Sequence, residues 1–362
     1  MAIHVVNEAR RCLHCKKPMC REGCPISTNI PEVIELFRTG HKEDAGAMLY
    51  ANNPLSVICS LVCDHDKQCE GHCVLGRKGA PVHFSSIENY ISDSYLDHLH
   101  LEMQPKTGQR VAIIGSGPAG ITISVLLAQR GYQVTIFESR EKIGGVLRYG
   151  IPEFRLPKSI LDRYQKQLTQ LGIQIRPNTA IGRTLTVDDL QRDGYEAIFI
   201  GTGVWKPKAM GIPGESLGNV NYAIDYLVNP DVYDLGNDLV VIGAGNSAMD
   251  VARTALRKGV RRVSVFCRRY QTAASVREVD YAKADGVEFF YGMRPTRIVD
   301  NGVYYKKVEM DEEGSITSTS EEQFFPCSSV IIAISQGAQN RIVSTTTGLE
   351  MSSHGLLATN EH

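Results

Sequence analysis

The chain has 362 residues, enough for two or three domains, and its 39 lysine and arginine residues nearly balance 40 aspartate and glutamate residues, for a net charge of −1. That balance excludes a general electrostatic attraction to nucleic acid or to an anionic membrane. With 43% hydrophobic and 22% charged residues, the composition is that of a folded globular protein and excludes a disordered or fibrous one.

The N-terminal region carries most of the ten cysteines. Eight lie between Cys12 and Cys73, and only Cys267 and Cys327 follow. The first residues have neither the apolar core nor the cleavage site of a signal peptide, and no run approaches ~18 apolar residues, so we expect a cytoplasmic protein that does not span a membrane. Because thiols stay reduced in that compartment, we expect these cysteines to bind metal rather than to form disulfides.

The eight cysteines form two runs, Cys12-x2-Cys15-x4-Cys20-x3-Cys24-Pro25 and Cys59-x3-Cys63-x5-Cys69-x3-Cys73. A C-x2-C start and a C-x3-C-P end are typical of ferredoxins, in which the last cysteine binds the other cluster. Eight thiolates suffice for two [4Fe–4S] clusters. Zinc is the alternative, with help from His14, His65 and His72, but these gaps fit zinc knuckles less well.

After a helix predicted at 31–37 and a linker at 105–108, the pattern becomes strand, glycine turn, helix and strand, and the same order returns at Asp238, about 128 residues later. This internal repeat of two βαβ units predicts parallel sheets. The predicted elements are strands at 111–114 and 134–137 around a helix ending at Arg130, strands at 239–242 and 263–266 around a helix ending at Lys258, and later strands at 198–200 and 330–334.

The first glycine turn reads Gly115-Ser-Gly117-Pro-Ala-Gly120. In a dinucleotide-binding unit the first glycine allows the tight turn, the second lets the backbone approach a pyrophosphate, and the third lets the helix pack on the strand. The helix N-terminus offers free N–H groups and a positive dipole to the phosphates. Glu138 ends the second strand, where a carboxylate can accept hydrogen bonds from ribose hydroxyls. The flanking strand, helix and acid favour a nucleotide site over a purely structural turn.

The second glycine turn reads Gly243-Ala-Gly245-Asn-Ser-Ala248, with alanine in place of the third glycine. Aligning the strands places Cys267 where the first unit has its acid, and Arg268 and Arg269 follow at once. Two guanidinium groups suit a 2′-phosphate by charge and by geometry, so this unit is predicted to bind NADPH rather than NADH. The alternatives are a solvated basic strand end and a DNA-binding patch, and the chain lacks the overall basic charge that a DNA-binding patch requires.

Two dinucleotide-binding units in one chain, the second inserted after the first, are typical of flavin-dependent pyridine-nucleotide reductases, so we expect FAD in the first unit. A flavin takes two electrons as hydride and can release them singly, and iron–sulfur clusters beside it would carry single electrons to a partner, which redox-inert zinc would not. Cys267 and Cys327 form no C-x2-C pair, which excludes a dithiol reductase of the thioredoxin-reductase type.

From about Arg11 to its end, the chain resembles the glutamate synthase small (β) subunit family. The same module is similar to the N-terminal part of dihydropyrimidine dehydrogenase and to the NADP-binding subunit of electron-bifurcating ferredoxin:NADP transhydrogenases. The resemblance rests on the two cysteine runs, on Asn53-Pro-Leu55, on GGVLRYGIPEFRLP at 144–157, and on GAGNSAMD with Arg268-Arg269. The run at 144–157 is specific to the family, whereas the glycine turns alone are not.

The resemblance implies that the ligands of the two clusters cross between the cysteine runs. One cluster would be held by Cys12, Cys15, Cys20 and Cys73. The other would be held by Cys24, Cys63, Cys69 and a fourth ligand, for which Glu88 is preferred and Cys59 competes. The implied FAD contacts are Gly115, Gly117, Pro118, Ala119, Gly120, Glu138, Gly145 and Arg155, and the implied NADPH contacts are Gly245, Asn246, Ser247, Ala248, Arg268, Arg269 and Arg277.

The expected architecture is an α/β protein in which a helical N-terminal iron–sulfur domain precedes two Rossmann-like dinucleotide-binding domains, the second inserted in the first. The predicted ranges are 1–105 for a helical double [4Fe–4S] domain, 106–235 for the first part of the FAD-binding domain, 236–335 for the NADPH-binding domain and 336–362 for a return to the FAD domain. Family members continue further, so we expect the sequence to lack the last elements of the FAD domain.

These features predict an NADPH-dependent oxidoreductase subunit that moves electrons between NADPH, FAD, two [4Fe–4S] clusters and a larger catalytic, ferredoxin-linked or NADH-linked subunit in a hetero-oligomer. The alternatives are the NADP-binding subunit of a bifurcating transhydrogenase and, in another class, an iron–sulfur relay or docking module without flavin turnover. A zinc-bearing scaffold is a third. No nucleophile elbow, acid/base pair or H-E-x-x-H motif occurs, so no catalytic side chain of a hydrolase is predicted, and neither nucleic acid nor a membrane is expected as a partner.

Overall fold

The computed structural model describes residues 4–99, 103–311, 316–339 and 341–359. Its helices are α1 (Val5–Arg10), α2 (Met19–Glu22), α3 (Ile30–Arg38), α4 (Lys42–Asn52), α5 (Ser56–Val62), α6 (Phe84–Asp97), α7 (Pro118–Gln129), α8 (Val146–Tyr149), α9 (Lys158–Gln170), α10 (Val187–Arg192), α11 (Ala223–Val228), α12 (Asn246–Arg257), α13 (Val276–Ala284) and α14 (Arg341–Ser344). Short 3-10 turns cover Val74–Arg77 and Pro230–Val232.

The strands are β1 (Arg110–Ile114), β2 (Gln133–Phe137), β3 (Gln174–Arg176), β4 (Ala197–Ile200), β5 (Lys206–Pro207), β6 (Val220–Tyr222), β7 (Asp238–Ile242), β8 (Arg262–Cys267), β9 (Glu288–Tyr291), β10 (Met293–Val299), β11 (Gly302–Met310), β12 (Ile316–Thr319), β13 (Gln323–Pro326), β14 (Ser329–Ile332) and β15 (Gln336–Gly337). The chain divides into two compact units. Unit 1 comprises Met1–Arg148 and Glu153–Thr202, and unit 2 comprises Tyr149–Pro152 and Gly203–His362.

The N-terminal part of unit 1 is helical. The predicted helix at 31–37 is confirmed as α3, with Pro31 in its first turn, where its missing N–H costs nothing. Helices α3, α4 and α6 enclose a core in which Ile34, Leu49 and Ile87 are almost fully buried. Several cysteines pack against this core, so in this part of the chain the thiols are positioned by helices and not by a sheet.

The rest of unit 1 is built on a parallel sheet with strand order β3-β2-β1-β4. The last four residues of β1 and of β2 are buried, as a strand covered on both faces requires. Both predicted strands of the first βαβ unit are confirmed, each one residue longer than predicted, and α7 ends one residue earlier. The predicted linker runs along this layer, where Thr107 N donates to Gly131 O at 3.0 Å.

Helix α9 joins the helical part of unit 1 to its sheet. The hydroxyl of Tyr164 is buried and donates to Pro54 O at 2.8 Å, and Gln167 Nε2 donates to Leu96 O at 3.0 Å. At the surface, Arg163 pairs with Asp93 and Asp97 on α6. These contacts hold α6 and the segment before α5 against the nucleotide-binding layer.

Replacing Tyr164 by phenylalanine is expected to lower the free energy of unfolding by about 1 kcal/mol, because the carbonyl of Pro54 stays buried without its donor. Tyr195→Phe is the control, since the Tyr195 hydroxyl donates to no described residue while its ring keeps its edge contact with Phe137. Denaturant unfolding of both variants measures the difference. Equal losses would contradict the assigned role of the Tyr164 hydrogen bond.

Unit 2 contains a second parallel sheet, with strand order β6-β14-β7-β8-β9. The predicted strands at 239–242, 263–266 and 330–334 are confirmed as β7, β8 and β14. An antiparallel layer of β10, β11, β12 and β13 was not predicted; it packs on the sheet where Phe266 meets Tyr305 and Phe325 edge to face. Strand β6 of this sheet lies before residue 236, where the predicted NADPH-binding range begins, and β15 pairs with β5. The four predicted domain ranges stay predictions.

Among the described residues, no single helix is long and apolar enough to cross a membrane, although α4 and α5, bent by 84°, reach the necessary length and composition when taken as a pair.

Candidate functional site

In the first glycine turn, the surrounding backbone leaves no room for a side chain at two of the glycines but leaves room at the third. Gly115 has φ +99°, and a Cβ there would lie 2.5 Å from Gly201 O. A Cβ at Gly120 would lie 2.0 Å from Gly115 O. Gly117 has φ −68°, and a Cβ there would meet nothing within 4 Å. The open space at Gly117, at the N-terminus of α7, therefore fits the approach of a pyrophosphate, with Pro118 and Ala119 exposed beside it.

The second glycine turn repeats this arrangement. Gly243 has φ +130°, and a Cβ there would lie 2.3 Å from Ala333 O. Gly245 has φ −91° and open space around it, and Ala248 is fully buried in the third position. The loop after β8 closes on the turn, because Ala273 and Ala274 both donate to Ala244 O at 2.9 Å.

Glu138 fixes the first turn to the end of β2. It is 4% exposed; one carboxylate oxygen accepts from Ser116 N at 3.0 Å and from Ser116 Oγ, and the other accepts from Arg140 N at 2.8 Å. Gly144 N donates to Ser116 O at 3.0 Å, which brings Gly145 so close that a Cβ there would lie 2.8 Å from the Cα of Gly117. Sequence reasoning missed the contacts of Ser116 and Gly144. The position of the serine between two glycines could have indicated its contact with Glu138.

The end of β8 has a different chemistry. The strand registers place Phe266 opposite Ile242 as Phe137 lies opposite Ile114, so Cys267 occupies the position of the acid and is fully buried. Arg268 and Arg269 follow it and are exposed, and neither has an ion-pair partner among the described residues. Two free cations at this strand end fit a 2′-phosphate.

The structure thus gathers most of the predicted nucleotide-site residues around two helix N-termini. Asn246 Oδ1 accepts from Ser275 N at 3.0 Å, at the start of α13. Arg277 lies on α13, exposed, with its Nε donating to Tyr281 OH at 3.2 Å. Arg155 is half-buried in the segment before α9. The roles assigned to individual residues in these sites stay predictions.

Alanine at Gly117 is expected to lower the affinity for FAD at least tenfold, equivalent to about 1.4 kcal/mol, and to leave the melting temperature unchanged, because the added methyl group meets only the ligand. Alanine at Gly120 is the contrasting variant, since its methyl group collides with Gly115 O and lowers stability before any ligand binds. Flavin retention on gel filtration and thermal melting measure the two effects. A Gly117→Ala protein with full flavin affinity would contradict the placement of the pyrophosphate.

The first group of thiols lines one cavity of about 40 Å³ whose other walls are apolar. The first group comprises Cys12, Cys15, Cys20 and Cys73, and Cys69 of the second group also lines this cavity. Burial, with smaller contributions from the neighbouring thiols Cys12 and Cys73 and against a hydrogen bond from the backbone, raises the pKa of Cys20 to about 11. Because metal ligands are thiolates, binding of a metal centre here would release these protons.

The second group joins Cys24, Cys59, Cys63, Cys69 and Glu88. Burial raises the pKa of Cys69, with smaller contributions from Glu70, Glu88 and Cys24. Glu88 is 7% exposed on α6, and burial together with Cys59 raises its pKa well above the usual range. Asn53 Nδ2 donates to Cys59 Sγ at 3.1 Å, a contact that sequence reasoning missed. Both competing fourth ligands lie in this group, so the choice between them stays a prediction.

Two of the three candidate zinc histidines have other partners. His14 Nε2 lies 3.1 Å from Glu35, and His72 Nδ1 lies 2.6 Å from Gln68 O. Among the described residues, no three histidine, cysteine, aspartate or glutamate side chains converge closely enough to hold a single metal ion. Tetrahedral zinc, with bonds of about 2.3 Å to sulfur, needs such convergence, whereas a [4Fe–4S] cluster binds each thiolate at a separate iron. The thiol groups fit clusters better than zinc.

Two family models match the chain. Residues 2–99 match the family described as dihydropyrimidine dehydrogenase domain II, 4Fe-4S cluster. Residues 109–362, and separately 78–184, match the pyridine nucleotide-disulphide oxidoreductase family. A 4Fe-4S domain followed by nucleotide-binding domains on parallel sheets is the organisation of an iron–sulfur oxidoreductase of the pyridine-nucleotide type.

The chain belongs to the pyridine nucleotide-disulphide oxidoreductase family, and its relatives there include glutamate synthase small chains. It is 36% identical to the glutamate synthase [NADPH] small chain of Azospirillum brasilense over 80% of this chain and 64% of that one. It is 32% identical to the small chain of Escherichia coli K12 over 96% of this chain and 80% of that one. The match thus spans just under two thirds of the Azospirillum chain.

Solved structures agree on the fold. The Mycobacterium tuberculosis oxidoreductase FprA, in complex with NADPH, superposes with a TM-score of 0.56 at 20% identity, covering 69% of this chain and 74% of that one. At this identity the similarity concerns the fold alone.

Proposed function

We propose that the chain is the electron-input subunit of a larger enzyme of the glutamate synthase kind, with NADPH at the second glycine turn, FAD at the first, and one [4Fe–4S] cluster in each thiol group. When bound, these groups supply hydride transfer from nicotinamide to flavin and single-electron transfer through the clusters. The observation that carries the proposal is the pair of glycine turns with open space at Gly117 and Gly245. In the first unit the following strand leads to the carboxylate of Glu138, and in the second it leads to Arg268 and Arg269.

The residues of the chain would bind and orient these groups. The N–H groups at the start of α7 and α12 would hold the two pyrophosphates, Glu138 would keep the first turn rigid beside the ribose, and Arg268 and Arg269 would bind the 2′-phosphate. The proposed ligand sets are Cys12, Cys15, Cys20 and Cys73 for the first cluster, and Cys24, Cys63, Cys69 and Glu88 for the second. The proposed domain ranges are those predicted from the sequence.

A separate, larger subunit is the proposed electron partner, because the relatives are named small chains and nothing in the described sites would bind an amino-acid substrate. We place the protein in the cytoplasm, where thiols stay reduced and can bind iron.

The test is the content of iron, sulfide, zinc and flavin in the chain purified without oxygen. About eight irons, matching sulfide and one FAD per chain are expected. Iron without flavin would favour an iron–sulfur relay module instead, and zinc without sulfide would contradict both functions.

A further inference from the structure

The surface over the first thiol group is strongly basic. The segments that flank Cys12, Cys15, Cys20 and Cys73 are residues 10–24 and 71–83, and their exposed charges are six basic residues and one acid. The basic residues are Arg10, Lys16, Lys17, Arg21, Arg77 and Lys78, and the acid is Glu22. Within the described part of the chain, none of the six basic residues has an ion-pair partner. The whole chain carries a net charge of −1, so this concentration of positive charge is local.

Exposed apolar side chains lie at the centre of the same surface. Leu13 is 60% exposed and Met19 is 39% exposed, and both line the cavity that contains the first thiol group. The thiols of Cys12, Cys15 and Cys20 are themselves only partly buried. An apolar centre inside a charged rim is the usual composition of a protein-binding surface.

The second thiol group lies towards the nucleotide-binding layer of unit 1. Cys69 and Glu88 are buried, and the α9 residue Tyr164, which binds Pro54 O, is close enough to Cys59 and Glu88 for their charges to affect it. The two thiol groups therefore differ in position: the second lies beside α9, whereas the first lines the cavity with Leu13 and Met19.

We propose that the surface formed by Leu13, Met19 and the six basic residues, here called the basic collar, is the docking site for an acidic electron-transfer protein or subunit. This inference rests on the proposed function and names the chemistry of its partner. Opposite charges steer such partners together and orient them, and weak electron-transfer complexes use small interfaces of this kind.

The test measures binding of a small ferredoxin with a large excess of acidic residues to the whole, iron-loaded chain by calorimetry. We expect binding at 50 mM salt that weakens about tenfold at 300 mM, because the rim charges are exposed and screened. Cytochrome c, a basic electron carrier, is the opposite-charge probe and should not bind. Failure of the ferredoxin to bind at low salt, or binding that salt does not affect, would overturn the proposal.

Charge reversal locates the site. Lys16→Glu with Lys17→Glu is expected to weaken binding at least tenfold at 50 mM salt. Lys166→Glu with Lys307→Glu makes the same change of charge at exposed lysines outside the collar and should change the dissociation constant less than twofold. Since Lys16 and Lys17 lie between two cluster ligands, iron content is measured first, and Arg77→Glu with Lys78→Glu replaces the pair if iron is lost.

Equal effects of the collar and control pairs on the dissociation constant for the ferredoxin would overturn the proposal. So would collar variants that abolish binding of duplex DNA but still bind the ferredoxin. The proposed function fails separately, through the absence of NADPH-dependent reduction in the chain alone. Binding can therefore succeed or fail whatever the outcome of that reduction.

Discussion

Replacing Arg268 and Arg269 by serine is expected to lower kcat/KM for NADPH at least 100-fold and to leave kcat/KM for NADH nearly unchanged. In the proposed site each guanidinium would donate a charge-assisted hydrogen bond to the 2′-phosphate, at about 1.5–3 kcal/mol per bond, and NADH has no such phosphate. Both arginines are exposed at the end of β8, so their removal should not unfold the unit. Steady-state reduction of a dye acceptor with each coenzyme measures the change.

The opposite end of the same strand offers a matched control. Arg261 and Arg262 are also adjacent and exposed, and Arg262 pairs with Asp238 at the surface. Serine at both positions removes the same charge but should leave the preference for NADPH intact. If the two double variants lost NADPH activity equally, the basic charge of the unit as a whole would explain the preference, and the 2′-phosphate site would be wrong.

Serine in place of Cys20 is expected to lower the iron content from about eight to about four per chain, because the first cluster loses one of its ligands. The second thiol group keeps all its members, so half of the cluster absorbance should remain. Iron and sulfide analysis, with the visible spectrum of protein purified without oxygen, measures the loss.

Cys327→Ser is the control for this substitution, since Cys327 is buried in unit 2 and belongs to neither thiol group. Its iron content should stay at the wild-type value. In the second group we expect Glu88→Ala to lower the iron content and Cys59→Ser to preserve it. Full iron content in the Cys20→Ser protein would show that the first ligand set is wrongly assigned.

The βαβ units were predictable because their signals are local. Strands β1 and β7 contain runs of four apolar residues that end at a glycine, β2 and β8 contain four-residue runs with one Thr or Ser that end at Glu138 and Cys267, and the structure places every predicted strand within two residues. The antiparallel layer was missed because its strands lack such runs. In β10 only Met293 and Ile298 are buried, and the residues between them are half-buried or exposed.

The candidate site was predictable in residue type but not in its internal contacts. The hydrogen bonds from Ser116 to Glu138 and from Asn53 to Cys59 join residues that no periodic pattern relates. The crossing of the cysteine runs came from family resemblance, because spacing alone does not say that Cys73 returns to the cavity of Cys12. The basic residues of the collar can be read from the sequence, whereas only the folded structure shows that they surround the first thiol group.

The central claim is that electrons from NADPH reach both flavin and clusters within this one chain. It is tested most directly by adding NADPH to the whole protein without oxygen and recording the visible spectrum. The account predicts that the flavin bands bleach and that the broad iron–sulfur absorbance falls with them. A spectrum that NADPH leaves unchanged, in a protein whose flavin and clusters dithionite still reduces, would contradict it.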